Sequence, residues 1–185
     1  MDKPSDAVIA TLAALLEGDD TVPLYAALDA AANDELIDRL YAEPDLTFEC
    51  LIPGDVPPDV FYVAPFLVDL TGRKALLRWL LAGWRQSWGI YLLGRYDFEA
   101  SYRHLRGFVR ARDPQGASAY VRYYDPRVFP ILGAHLSAVQ LGEFFAGVSA
   151  VVCESAEGSQ ALRFAFENGA LVRTELPLET RHVGP

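Results

Sequence analysis

The sequence has few of the residues on which common enzyme chemistry depends. Its 185 residues include only two cysteines and three histidines. None of the histidines (His104, His135 and His182) has a cysteine, a second histidine or a carboxylate at a metal-ligand spacing. A glycine-rich phosphate loop and the Gly-x-Gly-x-x-Gly fingerprint are both missing, so no bound nucleotide is predicted. We therefore expect no metal, no cofactor and no catalytic residues.

Long apolar runs are also missing. The longest candidate, residues 75–84, is interrupted by Arg78 and is far too short to cross a bilayer. The N-terminus has neither a basic leader nor a small-residue cleavage site, so no signal peptide is predicted. Cys50 and Cys153 both lie in predicted strands, which indicates reduced, buried thiols and a cytoplasmic location. A bridge between the two cysteines is the open alternative.

Positive charge is scarce at the start of the chain and concentrated in its middle. The net charge is −9. Residues 1–71 hold fifteen acidic residues against two basic ones, whereas residues 72–127 hold eleven basic residues against four acidic ones. A chain divided in this way favours oriented docking to a protein partner. The alternative is that the basic middle pairs with the acidic start inside the fold.

Helical and strand patterns alternate along the chain and predict an α/β protein. We expect a mixed β-sheet with flanking helices and a small C-terminal β-hairpin. Residues 1–147 are predicted to form the main domain, with residues 148–185 as a hairpin and tail packed on it. Helices are predicted over 7–16, 33–41, 72–84, 97–110, 126–132 and 139–146, and strands over 22–28, 47–52, 61–70, 87–93, 118–124, 150–153 and 161–166.

The segment 121–128 is the most informative part of the chain. Alternation puts Val121 and Tyr123 on one face of a predicted strand, with Arg122 and Tyr124 on the other. Asp125 is then expected to cap a helix that has proline at its first position. Neither this segment nor the apolar strand at 87–93, which predicts a covered central strand, contains a complete catalytic apparatus. The pattern therefore favours a folded binding module over an enzyme.

Two other functions are consistent with parts of the sequence. Arginine beside tyrosine can grip phosphate and stack on bases, so the segment 103–127 is compatible with nucleic-acid binding. The net charge and the two lysines of the whole chain oppose that reading. An uncharacterised hydrolase would need an acid–base pair that the sequence does not supply, with Ser87 or His104 as its candidates.

Short motifs follow one another along residues 24–147, in the segments 24–30, 65–68, 87–90, 102–106 and 122–128, together with Trp84. In this order they resemble the adaptor chaperones of the bacterial type VI secretion system, a family first catalogued as a domain of unknown function. Many such proteins carry a longer, more helical C-terminal portion, whereas about forty residues follow the matched region here.

The resemblance implies a non-enzymatic cytoplasmic adaptor that binds a toxic effector and helps to load it onto the spike protein. Residues with a scaffold role are expected at Tyr25, Asp29, Ser87, Trp88, Gly89, Asp125 and Pro126. Arginine and tyrosine supply much of the energy of protein interfaces, so the exposed ones are the candidates for partner binding. These candidates are Arg103, Arg106, Arg110, Arg122, Tyr124 and Arg127.

Overall fold

A computed structural model describes residues 3–18, 21–112 and 116–178. The strands are β1 (Leu24–Asp29), β2 (Phe48–Cys50), β3 (Pro65–Asp69), β4 (Gly89–Gly94), β5 (Arg110–Arg112), β6 (Ser118–Tyr120), β7 (Val148–Glu154), β8 (Gln160–Glu167) and β9 (Ala170–Pro177). Seven of them form a central sheet in the order β2-β3-β1-β4-β7-β8-β9, and β5 and β6 form a separate two-stranded hairpin.

Helices cover both faces of the sheet, which confirms the predicted α/β class. The helices are α1 (Asp6–Leu16), α2 (Leu36–Tyr41), α3 (Pro58–Phe61), α4 (Lys74–Leu81), α5 (Phe98–Arg106), α6 (Phe129–His135) and α7 (Ala138–Phe145). A short 3-10 turn, Ala30–Ala32, follows β1. The first core lies under α1, α2 and α4, and the second core lies under α5, α6 and α7.

The interior positions of the central strands β1 and β4 are apolar because each face of these strands meets a core. In β1, Ala26 and Leu28 point into the first core, whereas Tyr25 and Ala27 point into the second. Strand β4 divides in the same way, with Tyr91 facing the first core. Its position between β1 and β7 confirms the prediction of a central strand covered on both faces.

The strand directions are more uniform than the sequence predicted. A mixed sheet was expected, but every described strand pair is antiparallel. The helix α4 connects β3 to β4, and these two strands run in the same direction. They do not pair, however, because β1 lies between them and is antiparallel to both. The parallel relation is therefore present one strand apart rather than between neighbours.

The predicted helix over 97–110 is too long and the predicted strand over 118–124 is wrong in its second half. Helix α5 ends at Arg106, with Gly107 as its C-cap. Strands β5 and β6 then form a hairpin in which Arg110 pairs with Tyr120. Pairing across the hairpin overrides the helical spacing of the arginines, so Arg110 lies on a strand and the expected single stripe with Arg103 and Arg106 does not form.

Asp125 does not cap a helix, and Pro126 is not in one. The helix predicted over 126–132 begins instead at Phe129, and Pro130 takes the early helical position that does not need an amide hydrogen. Asp125 accepts a hydrogen bond at Oδ1 from the backbone N–H of Arg127 (2.9 Å), the short-range pattern of a turn. Pro126 lies within this turn.

Most of the remaining elements match the predicted ones, although the helix α3 was not predicted. Ser137 caps α7 in a reciprocal capping box with Gln140. The C-terminal hairpin of β7 and β8 is also confirmed. Both Cys50 and Cys153 are free thiols, and burial raises the pKa of Cys153 to about 12. Strand β9 was not predicted, and residues 179–185 of the expected tail lie outside the described residues.

Replacing Gly89 by alanine should destabilise the fold by about 1 to 3 kcal/mol. A Cβ at this position would overlap the carbonyl oxygen of Ala27 and the backbone of Leu28 in the neighbouring strand β1. The measurement is the free energy of unfolding in urea. Gly18→Ala is the matched control, because its new Cβ would lie 3.8 Å from the closest atom. Equal stabilities of the two variants would contradict the close approach of β1 and β4.

Candidate functional site: an ion-pair cluster beside an apolar groove

Three central strands bring distant motif residues to the same end of the sheet. Strand β1 ends at Asp29, β4 begins at Gly89 and β7 ends at Glu154. The backbone N–H of Asp29 donates to the carbonyl oxygen of Trp88 (2.8 Å), which joins the first two of these strand ends. The motif residues around 29 and 88 are thus neighbours in the fold.

An ion-pair cluster, formed by Asp29, Arg122, Asp125 and Arg127, lies at this end of the sheet. Arg122 Nη2 is 2.6 Å from Asp29 Oδ2 and 3.3 Å from Asp125 Oδ2. Arg127 forms a two-point contact with Asp125, through Nε to Oδ1 (2.9 Å) and Nη2 to Oδ2 (2.7 Å). Both carboxylates are about 97% buried, whereas the two arginine side chains are about half exposed. The cluster therefore neutralises buried acids while presenting guanidinium groups at the surface.

The arginines change the electrostatics of Asp125. Burial by itself would raise the pKa of this carboxyl group. The hydrogen bonds and the charge of Arg127, with the charge of Arg122, outweigh burial and hold the pKa of Asp125 below its ordinary value. Asp125 is consequently a carboxylate at neutral pH, and its charge is compensated within the fold.

Asp29 also organises the chain that follows β1. Its Oδ1 accepts a hydrogen bond from the backbone N–H of Ala31 (3.2 Å) and so caps the 3-10 turn. Its Oδ2 is left to accept from Arg122, a residue 93 positions away in the sequence. One buried carboxylate therefore satisfies a local turn and a long-range ion pair at the same time.

Glu154 is a functional candidate that the sequence reasoning missed. Its Oε1 accepts hydrogen bonds from the backbone N–H (2.7 Å) and the hydroxyl (3.0 Å) of Ser87, and its other oxygen bonds the backbone N–H of Arg85. Both Arg85 and Ser87 have left-handed backbone conformations, which these bonds hold in place. Burial raises the pKa of Glu154 above its ordinary value. The signal in the sequence was an acid at the end of the apolar run 150–153.

Trp88 is partly buried and packs against the first core. Its ring is 5.3 Å from that of Trp79, and there is no room for a side chain at Gly83, whose Cβ would overlap the Trp88 ring. Tyr25 is fully buried, and its hydroxyl donates to the carbonyl oxygen of Tyr96 (2.8 Å). Burial raises the pKa of Tyr25 to about 12, so this hydroxyl stays protonated.

Tyr124, expected at a partner surface, is almost completely buried. Only 7% of it is exposed, and the Arg122 guanidinium carbon lies 6.0 Å from the centre of its ring. Burial raises the pKa of Tyr124 to about 12. The ring therefore supports Arg122 from the inside, a contact that holds the guanidinium in position.

The strand predicted at 121–124 does not form, and its strict alternation does not hold, because the rings of Tyr123 and Tyr124 are 5.9 Å apart and both belong to the second core. Arg122 contacts the ion-pair cluster, whereas Val121 and Tyr123 line an apolar groove of about 340 Å³. The groove runs between the β5–β6 hairpin and the helices α6 and α7. Its apolar lining includes Phe108, Val121, Tyr123, Leu132, Leu136 and Leu141.

The three remaining arginine candidates are dispersed over two elements. Arg103 is exposed on α5 and pairs with Glu99 (3.4 Å), while Arg106 lies over the ring of Tyr102. Arg110 lines the apolar groove and donates a hydrogen bond to the hydroxyl of Tyr120 (2.9 Å) on the facing strand. Of the three, Arg110 is the one that the structure places beside the groove.

The two residues considered for catalysis, Ser87 and His104, each bond to a different group. Ser87 is bound to Glu154, whereas His104 Nε2 lies 2.9 Å from the carbonyl oxygen of Phe144 in α7. His104 is partly buried against Phe108. Within the described ranges, no group of three or more histidine, cysteine or acidic residues could hold a metal ion. The same ranges contain no helix that is both long and apolar enough to cross a membrane.

Comparison with known proteins identifies the family. The sequence profile of the domain of unknown function DUF4123 matches residues 24–143, which is well over half of the chain. The chain belongs to this family. The matched region contains all four residues of the ion-pair cluster. It also contains Trp88, whose carbonyl oxygen accepts a hydrogen bond from the backbone N–H of Asp29. Neither the curated proteins nor the solved structures include a match.

Replacing Arg122 by methionine should lower the free energy of unfolding by about 1 to 3 kcal/mol, because Asp29 would be left buried without its ion-pair partner. The measurement is urea unfolding at neutral pH. Arg103→Met is the matched control, since that side chain is exposed and its loss is expected to cost less than about 0.5 kcal/mol. A loss for Arg122→Met no larger than that of the control would contradict the role of the ion pair.

Replacing Asp125 by asparagine should reduce the sensitivity of the fold to acid. Because the folded-state pKa of Asp125 is lowered, its ion pairs stabilise the protein above the ordinary aspartate pKa. That stability is lost as the pH falls through the folded-state pKa. Melting temperatures measured from neutral to acidic pH should therefore fall less steeply for Asp125→Asn than for the natural sequence. Glu99→Gln, which removes an exposed carboxylate, should leave the slope unchanged.

Proposed function

We propose that this chain is a non-enzymatic cytoplasmic adaptor that binds a toxic effector of a type VI secretion system and promotes its loading onto the spike protein. The observation that carries the proposal is the set of contacts among the motif residues. Asp29, Trp88, Arg122 and Asp125 bond and pack with one another, and so hold the segment 121–124 against an apolar groove. This is the arrangement expected of a binding module whose motifs shape a docking surface.

The apolar groove and the hairpin beside it are the proposed effector-binding surface. The groove offers a concave apolar lining that suits the side chains of a partner protein. Tyr120, 58% exposed, and Arg110 project from the hairpin at its border. Tyrosine and arginine are the residue types that contribute most strongly at protein interfaces. The exposed guanidinium groups of Arg122 and Arg127, in the neighbouring ion-pair cluster, can make polar contacts with the same partner.

The two alternative functions have weaker support. Base stacking needs exposed aromatic rings, but two of the three tyrosines near the arginines, Tyr123 and Tyr124, are buried. A hydrolase needs a nucleophile and a base within hydrogen-bond reach, whereas Ser87 and His104 each bond a different group. No comparable contact argues against the groove beside the hairpin as a protein-binding surface.

Co-expression with the toxin and the spike protein encoded nearest to the gene tests the proposal. We expect the purified chain to retain the toxin through size exclusion, and the toxin to be less soluble when it is expressed alone. Replacing both Arg110 and Tyr120 by alanine should reduce toxin recovery at least tenfold, because Arg110 lines the groove and the exposed Tyr120 is bonded to it across the hairpin.

Tyr62→Ala is the matched control for this experiment. Tyr62 is 60% exposed, nearly the same as Tyr120, but it follows α3 and does not line the groove. This variant should recover as much toxin as the natural sequence. Equal losses in the two variants would argue against the groove as the docking surface. No association with either the toxin or the spike protein would overturn the adaptor function itself.

A further inference from the structure

Strand β9 forms one edge of the seven-stranded sheet and pairs on one side only among the described strands. It is eight residues long, and most of its residues are exposed. The opposite edge of the sheet, β2, is only three residues long. A long exposed edge strand is a template for a further strand, and short strands are one of the means by which proteins prevent such pairing. The two edges of this sheet therefore differ in what they can bind.

The register of β8 and β9 identifies which backbone groups of the edge are free. The backbone N–H of Leu178 donates to the carbonyl oxygen of Ser159 (3.1 Å), so this pair is hydrogen-bonded. Bonded and non-bonded pairs alternate in an antiparallel ladder, and β9 runs antiparallel to β8. Residues 170, 172, 174 and 176 therefore bond to β8. Leu171, Arg173 and Glu175 direct their N–H and C=O groups outward, away from β8.

The side chains of β9 are complementary to those of a second, antiparallel copy centred on Thr174. Within one chain Arg173 Nη2 lies 2.6 Å from Glu175 Oε1, and both side chains are about half exposed. In the Thr174-centred register Arg173 also lies opposite Glu175 of the second copy on the same face, and the reverse pair follows by symmetry. On the other face Val172, 39% exposed, lies opposite Leu176 of the second copy, with the two Thr174 side chains between these pairs. Opposite charges and apolar neighbours each favour this arrangement.

The neighbouring registers that keep the same hydrogen-bonding pattern are unfavourable. Centring the pair on residue 173 would place Arg173 opposite a second Arg173, and centring it on residue 175 would place two Glu175 side chains opposite each other. The carbonyl oxygen of Pro177 can still accept from Leu171 of the second copy, although proline lacks a donor of its own. Charge therefore selects the Thr174-centred register.

We infer that a second copy of this chain pairs with β9, which makes a symmetric dimer with one continuous sheet across the two-fold axis. The interface is isologous, since the same strand contributes from both copies. The short β2 strands then form the two outer edges, so the assembly closes at two chains. This inference concerns an edge strand that the proposed function does not use, and the two stand or fall separately.

Light scattering coupled to size exclusion tests the dimer on the purified full chain. The natural sequence should show a mass twice the 20.4 kDa of one chain. Arg173→Glu and Glu175→Arg should each shift the mass to that of a monomer, because each places like charges opposite each other. Arg103→Glu, at an exposed arginine of α5, is the matched control and should keep the dimer mass. Thermal melts establish that every variant is folded.

Mixing the two single variants gives the decisive result. Arg173→Glu has glutamate at both positions and Glu175→Arg has arginine at both, so a mixture restores opposite charges at every cross-strand pair. We expect the mixture to return to the dimer mass, and the double variant Arg173→Glu/Glu175→Arg to dimerise alone. A monomeric natural sequence, or single variants that remain dimeric, would overturn the inference. Folded single variants that are monomeric both alone and when mixed would also overturn the Thr174-centred register.

Discussion

Two buried carboxylates, Asp29 and Asp125, impose the constraint on which this region of the fold depends. A charge taken out of water is costly unless a partner compensates it, and Arg122 is the group that meets both. Asp29 ends a central strand, while Arg122 and Asp125 belong to the connection between the β5–β6 hairpin and α6. Satisfying the charges therefore fixes where that connection crosses the end of the sheet.

The position of this connection determines the surface beside it. Arg122 is anchored by its ion pairs, and its two neighbours Val121 and Tyr123 line the groove. These two residues form one wall of the apolar groove, and α6 and α7 form the facing wall. A polar cluster thus shapes an apolar surface without belonging to it, which accounts for motif residues that are buried rather than exposed.

The two faces and the edge of the sheet have separate roles. Both faces are covered by the cores, and the two proposals use the groove with its hairpin and the strand β9. The groove and β9 adjoin each other, since the Leu171 side chain of β9 lies against Gly133 of the groove lining.

The sequence by itself determined the elements whose signals are local: α1, the capping box of α7, the C-terminal hairpin and the covered strand β4. Periodicity and capping act over a few residues, so they can be read without the fold. Only the tertiary structure decided that Asp29 meets Arg122 across 93 positions and that Glu154 holds the turn at Ser87 across 67. It also decided that α5 stops at Arg106, because strand pairing competes with helical spacing there, and that the exposed strand β9 exists, because pairing with β8 rather than burial defines it.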